Sequence, residues 1–243
     1  MSTIVILGDG PLGRAVESAA IDHGHGVRRL GRPVEGRHTD AAFAGADTVV
    51  EASRSDAVRS NVDSALAAGV RRFVIATTAW DADHAVVAEH VRLAGASAVA
   101  GSNFSIGVVL FGRIVEMAAG LFGRVDGFDP FLVEWHRAGK RDRPSGTARD
   151  LARRIAAADP SVVDPGALEV VSIRAGASPG MHLVGFDAPG ETVELRLTAR
   201  DRTAYATGIL AAIDWLDRTP RPAGITAFDT VVDHLVSAVE VAA

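Results

Sequence analysis

The chain holds a single lysine, Lys140, against 24 arginines, and it stands in the densest polar stretch of the sequence. That stretch reads Glu134-Trp135-His136-Arg137-Ala138-Gly139-Lys140-Arg141-Asp142-Arg143-Pro144-Ser145-Gly146-Thr147-Ala148. An arginine-rich chain that uses lysine at one position points to a need for a compact ammonium with rotatable donors. A histidine lies four residues earlier, and imidazole has the intrinsic pKa to deliver a proton near neutrality. An ammonium can neutralise negative charge forming on a ring nitrogen or its neighbouring carbon. Ser145, Gly146 and Thr147 open a predicted helix over 147–157, where backbone N–H groups and hydroxyls suit a carboxylate. His136 and Lys140 are therefore the candidate catalytic residues, and Ser145, Gly146 and Thr147 candidate substrate ligands. Arg137 is a candidate too, because a guanidinium takes a carboxylate in bidentate fashion. As a fixed positive charge beside His136 it should also lower that histidine's pKa. His182 falls in a predicted strand, where a structural role is expected.

A second chemical motif lies at the other end of the chain. Gly8-Asp9-Gly10-Pro11-Leu12-Gly13 is a G-x-G-x-x-G turn directly after an apolar run at 3–7 and directly before a helical pattern at 12–21. Glycines there permit a tight turn and close backbone approach to a pyrophosphate, which the helix N-terminus then binds. The following strand ends Leu30-Gly31-Arg32. An acid at that point would hold ribose hydroxyls, whereas an arginine suits a 2′-phosphate, so Arg32 predicts NADPH in preference to NADH. Thr77 and Thr78 follow a fourth strand, and Ser102, Asn103 and Phe104 follow a fifth. Both are carboxyl ends of predicted parallel strands, where open α/β sheets bind ligands.

These motifs need a scaffold, and the pattern supplies one. Strand signals at 3–7, 26–30, 47–51, 72–76 and 97–100 alternate with helical signals at 12–21, 54–68 and 81–93. Repeated βα units with apolar strands predict a parallel sheet covered on both faces. After 104 the pattern changes to a helix at 106–122, the polar motif, and strands at 168–174, 181–186 and 192–198 that are expected to be antiparallel. Ala188-Pro189-Gly190-Glu191 is the turn between the last two. Helices at 203–216 and 227–239 follow, joined by a linker at 218–224. The predicted architecture is α/β: a Rossmann-type domain over 1–104 and 204–243, with an inserted α+β domain over 105–203.

Composition narrows the class. A net charge of −5 argues against a nucleic-acid partner. The absence of cysteine removes disulfides, thiolate metal sites and cysteine nucleophiles. No histidine–carboxylate set has ligand spacing, so no metal is expected. The uncharged stretch 93–112 has membrane-span length, but its serines, asparagine and four glycines break it into strand, turn and helix start. A strand-like beginning with no charged leader predicts a cytoplasmic protein.

In this order the segments resemble dihydrodipicolinate reductase, whose signature is E-x-H-H-x-x-K-x-D-x-P-S-G-T-A. Glu134, His136, Lys140, Asp142, Pro144, Ser145, Gly146, Thr147 and Ala148 match it. Arg174-Ala175-Gly176, Gly180-Met181-His182 and Arg202-Thr203-Ala204-Tyr205-Ala206-Thr207-Gly208 are similar to its later segments. The resemblance implies NAD(P)H-dependent reduction of a cyclic, dicarboxylated imine in lysine and diaminopimelate biosynthesis. It implies a general acid at His136, charge stabilisation by Lys140, a small-molecule dicarboxylate substrate and a homotetramer. It also implies cofactor contacts along the glycine loop and at Ser53, Thr77, Thr78, Ser102, Asn103, Phe104 and Arg202. Five positions depart from the pattern. Arg137 replaces a second histidine, Ala76 and Ala79 replace glycines, and Ala52 with Ser53 stands where the family has an aromatic residue. These departures keep two alternatives open: a divergent relative acting on another carboxylated imine or enoyl compound, and an NADP-binding sensor without turnover. His136, Lys140 and the Ser-Gly-Thr turn weigh against the sensor.

Overall fold

The structure is a computed structural model and describes residues 1–33, 36–162, 164–218 and 220–240. Positions 34, 35, 163, 219 and 241–243, which the sequence-derived ranges include, lie outside the described residues. The chain divides into two compact units, one formed by Met1–Ile106 with Arg202–Ala243, the other by Gly107–Asp201.

The first unit is a six-stranded parallel sheet. Its strands are β1 (Thr3–Leu7), β2 (Gly26–Leu30), β3 (Thr48–Glu51), β4 (Arg72–Ile75), β5 (Ser97–Ala100) and β10 (Gly224–Ala227), in the order β10-β5-β4-β3-β1-β2. Ile4 to Leu7, Val49, Val50 and Phe73 to Ile75 are all buried, as strands covered on both faces must be. One face packs on α2 (Val58–Ala67) and α3 (Asp81–Leu93) through Val62, Ala65, Val87 and Val91. Helices α1 (Pro11–Asp22) and α6 (Thr203–Arg218) pack against each other, with α6 also meeting β4 and β5. The strand β10 was not expected: it begins at the last residue of the linker read at 218–224 and runs to Ala227, where a helix was expected to start. Its four residues are too few to show a period, yet they pair with β5 from Gly224↔Ser97 to Ala227↔Ala100. The helix α7 (Phe228–Glu240) follows at once.

The second unit is a four-stranded mixed sheet of β6 (Asp129–His136), β7 (Glu169–Arg174), β8 (Met181–Ala188) and β9 (Glu191–Thr198), in the order β7-β6-β8-β9. The hairpin β8–β9 is antiparallel, as expected from its turn. The expected antiparallel setting of the strand at 168–174 is corrected: β7 pairs with β6, in parallel. The reason is the connection between them, which carries α5 (Gly146–Ala158) as a crossover helix, and parallel neighbours need such a crossover. Helix α4 (Ile106–Phe122) and α5 cover one face through Phe111, Val115, Leu151 and Ile155 against Leu132, Val184 and Phe186. On the other face Trp135, Val171 and Ile173 remain 38%, 43% and 42% exposed. Among the described residues no helix is long and apolar enough to cross a membrane.

Candidate active site

In the first unit the three glycines of the loop after β1 do separate jobs. A methyl on Gly8, whose φ is +131°, would lie 2.2 Å from the Ala52 carbonyl oxygen, and one on Gly13 would lie 2.2 Å from that of Gly8. Both hold the loop shut against its own neighbours. Gly10 has nothing within 4 Å of that position and lines a cleft of about 290 Å³. It is also the N-cap of α1, makes no side-chain cap, and is followed by Pro11 at the first helical turn. The first-turn N–H groups of Leu12 and Gly13 have no partner inside the helix, and the helix dipole adds positive potential. This cradle of bare backbone suits a pyrophosphate.

Ser53, Thr77, Thr78 and Arg202 line the same cleft with Pro11 and Leu12. Beneath them Glu51 is wholly buried and accepts hydrogen bonds from the Ser53 hydroxyl and, at 3.0 Å, from Asn61 Nδ2. Burial raises the Glu51 pKa, against hydrogen bonds from Ser53, Thr77 and Asn61 that pull it down. Sequence reasoning assigned Glu51 and Asn61 no part here; an acid at the end of an apolar strand was the available signal. Six predicted positions do not line the cleft: Gly8 and Gly13, which close the loop on its own backbone, and Arg32, Ser102, Asn103 and Phe104. Arg32 is exposed. Ser102 lies in the loop after β5, and Asn103 Oδ1 accepts the Ser105 N–H at 2.8 Å. The Phe104 ring, expected at the cofactor, is instead core: it is 2% exposed and packs on Phe228 with centroids 4.7 Å apart. Ala79 sits at φ +60°, the left-handed region, where the family's glycine would be unstrained.

In the second unit the polar motif is organised by a buried carboxylate. Glu134 and His136 alternate onto the same face of β6, and register sets Ser172 and His182 directly opposite Glu134. Glu134 Oε1 accepts three hydrogen bonds: from the Ser145 N–H at 3.0 Å, the Ser172 hydroxyl at 2.5 Å and Arg174 Nη2 at 2.7 Å. Glu134 Oε2 lies 3.3 Å from His136 Nδ1 and 3.7 Å from His182 Nε2. Burial pushes the Glu134 carboxyl up, but His182, Ser145, Ser172 and Arg174 outweigh it and hold the group well below the usual carboxylate range. His136 is 7% exposed, and its pKa is lowered to about 4, first by burial, then by the charges of His182, Lys140 and Arg174, against Glu134. The expected lowering is therefore present, but its sources are these groups and not Arg137, which is exposed and curls its guanidinium toward Gly139.

Glu134 Oε2 faces His136 Nδ1 at 3.3 Å with no hydrogen bond formed between them, and Nε2 is the ring's other nitrogen. That nitrogen faces Gly180, where an added methyl would approach it to 3.1 Å. Lys140 Nζ pairs with both Asp142 oxygens, at 2.9 and 3.0 Å, and burial notwithstanding Lys140 holds the Asp142 carboxyl below its ordinary pKa. Ser145 is the N-cap of α5: its Oγ accepts the Ala148 N–H and lies 3.2 Å from His182 Nε2. Expected as a substrate ligand, Ser145 has its N–H and hydroxyl engaged internally and is 2% exposed. Gly146 and Thr147 remain as first-turn N–H groups of α5 without intrahelical partners.

Glu134, His136 and His182 bring one ligand atom each within 4.8 Å of one another. The expectation of no metal rested on linear spacing; strand register brings these three side chains together where spacing did not show it. The three donors on Oε1 and the nearby cations make it a hydrogen-bonding centre. His182, expected to be structural, belongs to this centre. Its signal was the pairing register, which periodicity alone does not give.

A nucleotide-type cleft in one unit and a buried carboxylate–histidine centre in the other are the parts expected of a nicotinamide-dependent oxidoreductase. The chain belongs to the dihydrodipicolinate reductase family: residues 107–232 match the model of that reductase's C-terminal part. It is 32% identical over 221 residues to the 4-hydroxy-tetrahydrodipicolinate reductase of Archaeoglobus fulgidus, covering 84% of this chain and 82% of that protein. It is 33% identical to the reductase of the same name from Chromobacterium violaceum, over 72% and 70% of the two chains. The fold is shared with a dipicolinate-bound dihydrodipicolinate reductase from Paenisporosarcina sp. TG-14, at a TM-score of 0.71 and 19% identity, over 93% of this chain and 97% of that one. The chain is an oxidoreductase of a family that uses a nicotinamide cofactor.

Proposed function

We propose that the chain reduces the cyclic dicarboxylated imine dihydrodipicolinate, formed from 4-hydroxy-tetrahydrodipicolinate, to tetrahydrodipicolinate in lysine and diaminopimelate biosynthesis. The observation that carries this is the centre around Glu134, which orients His136 beside Lys140 and the start of α5. The nicotinamide supplies a hydride to the ring when bound. The residues of the second unit supply the rest. His136 Nε2 delivers the proton to the neighbouring carbon, while the Glu134 carboxylate, 3.3 Å from Nδ1, steadies the charged ring. Lys140 exchanges its pair with Asp142 for the charge that develops on the substrate. Gly146 and Thr147 hold one carboxylate at the α5 N-terminus, and Arg137 is the ligand for the other. In the first unit Gly10, Leu12 and Gly13 hold the pyrophosphate. Ser53, Thr77, Thr78 and Arg202 contact the cofactor from the cleft walls, and Ser102 and Asn103 contact it from the loop after β5.

NADPH is the preferred cofactor in this reading because Arg32, the cation after β2, suits a 2′-phosphate. The protein is a cytoplasmic homotetramer: the exposed apolar face of the β7-β6-β8-β9 sheet supports self-association, since such a face is otherwise an open interaction surface. NADPH oxidation with freshly generated substrate tests the activity, run beside Lys140→Ala and Arg32→Ala. Turnover lost in Lys140→Ala, and a cofactor ratio moved toward NADH in Arg32→Ala, are the expected results. Cofactor binding without turnover of this substrate would reject it. A second reading, reduction of a different carboxylated imine, is favoured by Arg137 and by the left-handed Ala79; the same assay on such imines decides between them.

A further inference from the structure

Strand β2 ends at Leu30, and Gly31 and Arg32 follow, so among the described residues no carboxylate extends from the end of β2, where a ribose-binding acid usually stands. A carboxylate reaches that place by another route. A methyl built on Gly31 would lie 2.7 Å from Oδ2 of Asp9, the residue between the first two glycines of the loop. The Asp9 side chain is 67% exposed, so a ligand can approach it. Its Oδ1 holds Arg29 Nη1, and Arg29 Nε donates to Glu17 Oε2 at 2.6 Å. Arg29 is thus bracketed by two acids and offers little to a phosphate. Gly31, without a side chain, leaves Asp9 the space.

We propose that Asp9 is the residue that discriminates between the two nicotinamide cofactors. Its carboxylate accepts a hydrogen bond from the adenosine ribose 2′-hydroxyl and repels a 2′-phosphate at the same point. The proposal rests on the nicotinamide reading of the cleft and qualifies the part given to Arg32. Arg32 attracts the 2′-phosphate, Asp9 opposes it, and the preference for NADPH is narrow. The acid that usually belongs to the second strand has moved to the glycine loop.

The test compares kcat/KM for NADPH and NADH in the wild-type chain, Asp9→Asn and Gly31→Ala. Asp9→Asn keeps the shape of the side chain and removes its charge. The NADPH-to-NADH ratio should rise about tenfold, the scale of one hydrogen bond to a charged group. Gly31→Ala keeps the carboxylate but displaces it, because the atom in the way is the end of a flexible side chain, and should move the ratio the same way. Two active variants with an unchanged ratio would overturn the proposal and leave Asp9 as a surface partner of Arg29. Equal weakening of both cofactors would overturn it too, as a loss of loop shape. Failure of the wild-type chain to bind either cofactor, read by nicotinamide fluorescence, would sink the cleft reading itself and is distinguishable from both.

Discussion

The cofactor cleft of the first unit and the acid–base centre of the second solve opposite problems. The cleft is made mostly of backbone: a helix start, two glycines closed on their own neighbours, and one glycine left bare. The centre is made of side chains, and a single buried carboxylate holds them by receiving Ser145, Ser172 and Arg174 on one oxygen and facing two imidazoles with the other. A backbone site tolerates changes that keep the chain's path. A side-chain site fails when its hub loses charge.

Glu134→Gln attacks the hub and should have the largest effect. Arg174, 1% exposed, would be left buried beside a neutral amide, at a cost of about 3–5 kcal/mol. kcat should fall about 100-fold as His136 loses its orienting partner. Urea unfolding and steady-state kinetics check the two together, and an unchanged kcat would remove Glu134 from the proposed chemistry. The glycines of the cleft give the matching experiment. Gly13→Ala forces a methyl to 2.2 Å from the Gly8 oxygen and should raise KM for NADPH about 100-fold with loss of stability. Gly10→Ala meets no protein atom within 4 Å, so stability should hold while KM rises about tenfold. If both variants behave alike, the division of labour within the loop is wrong.

The pH profile sharpens the comparison further. In the proposed chemistry His136 acts protonated, and burial with its cationic neighbours lowers its pKa to about 4 in the free protein. kcat/KM, which reports the free enzyme, should therefore fall as pH rises above about 4. kcat should hold to higher pH, because two bound carboxylates favour the charged ring. His182→Gln removes a positive neighbour that lowers the His136 pKa and should move the kcat/KM limb upward. The stability effect has the opposite side of the same sign. A base whose folded pKa lies below its ordinary 6.5 costs stability as pH falls from that value toward about 4. The smallest effect belongs to Ala79→Gly, which relieves a left-handed alanine and should stabilise the first unit by about 1 kcal/mol in denaturant unfolding.

The phosphate cradle of the cleft was legible in the sequence because its parts are contiguous: a strand, three glycines and a helix lie within the first 22 residues, while the walls come from 52–55, 76–78 and Arg202. The motif from Glu134 to Ala148 was legible for the same reason, including the helix that Ser145 caps. What could not be read was everything that depends on register. His182 and Ser172 reach Glu134 only because β8 and β7 pair with β6 at one particular offset, and a one-residue slip would turn them to the other face. β7 was expected to be antiparallel because short alternating strands look alike in either direction, and the helix that fixes its direction lies before it in the chain. Phe104 and Ser145 carry the family's pattern, yet one is spent on the core and the other on a cap. Type and spacing name a residue's chemistry but not where its atoms are used.

The strand β10 has a consequence for the order in which the chain is made. Residues 107–201 are continuous, so the second unit emerges from the ribosome whole and can fold when its last strand is out. The first unit waits. Its first five strands are synthesised early, but β5 keeps one edge bare until Gly224–Ala227 arrive, after the whole of the second unit. A nascent protein therefore carries an unpaired edge through most of its own synthesis, the kind of surface that invites strand addition from a neighbouring chain. Translation that halts between 202 and 223, after the second unit is complete and before β10, should release a product with one sound unit and one aggregation-prone unit.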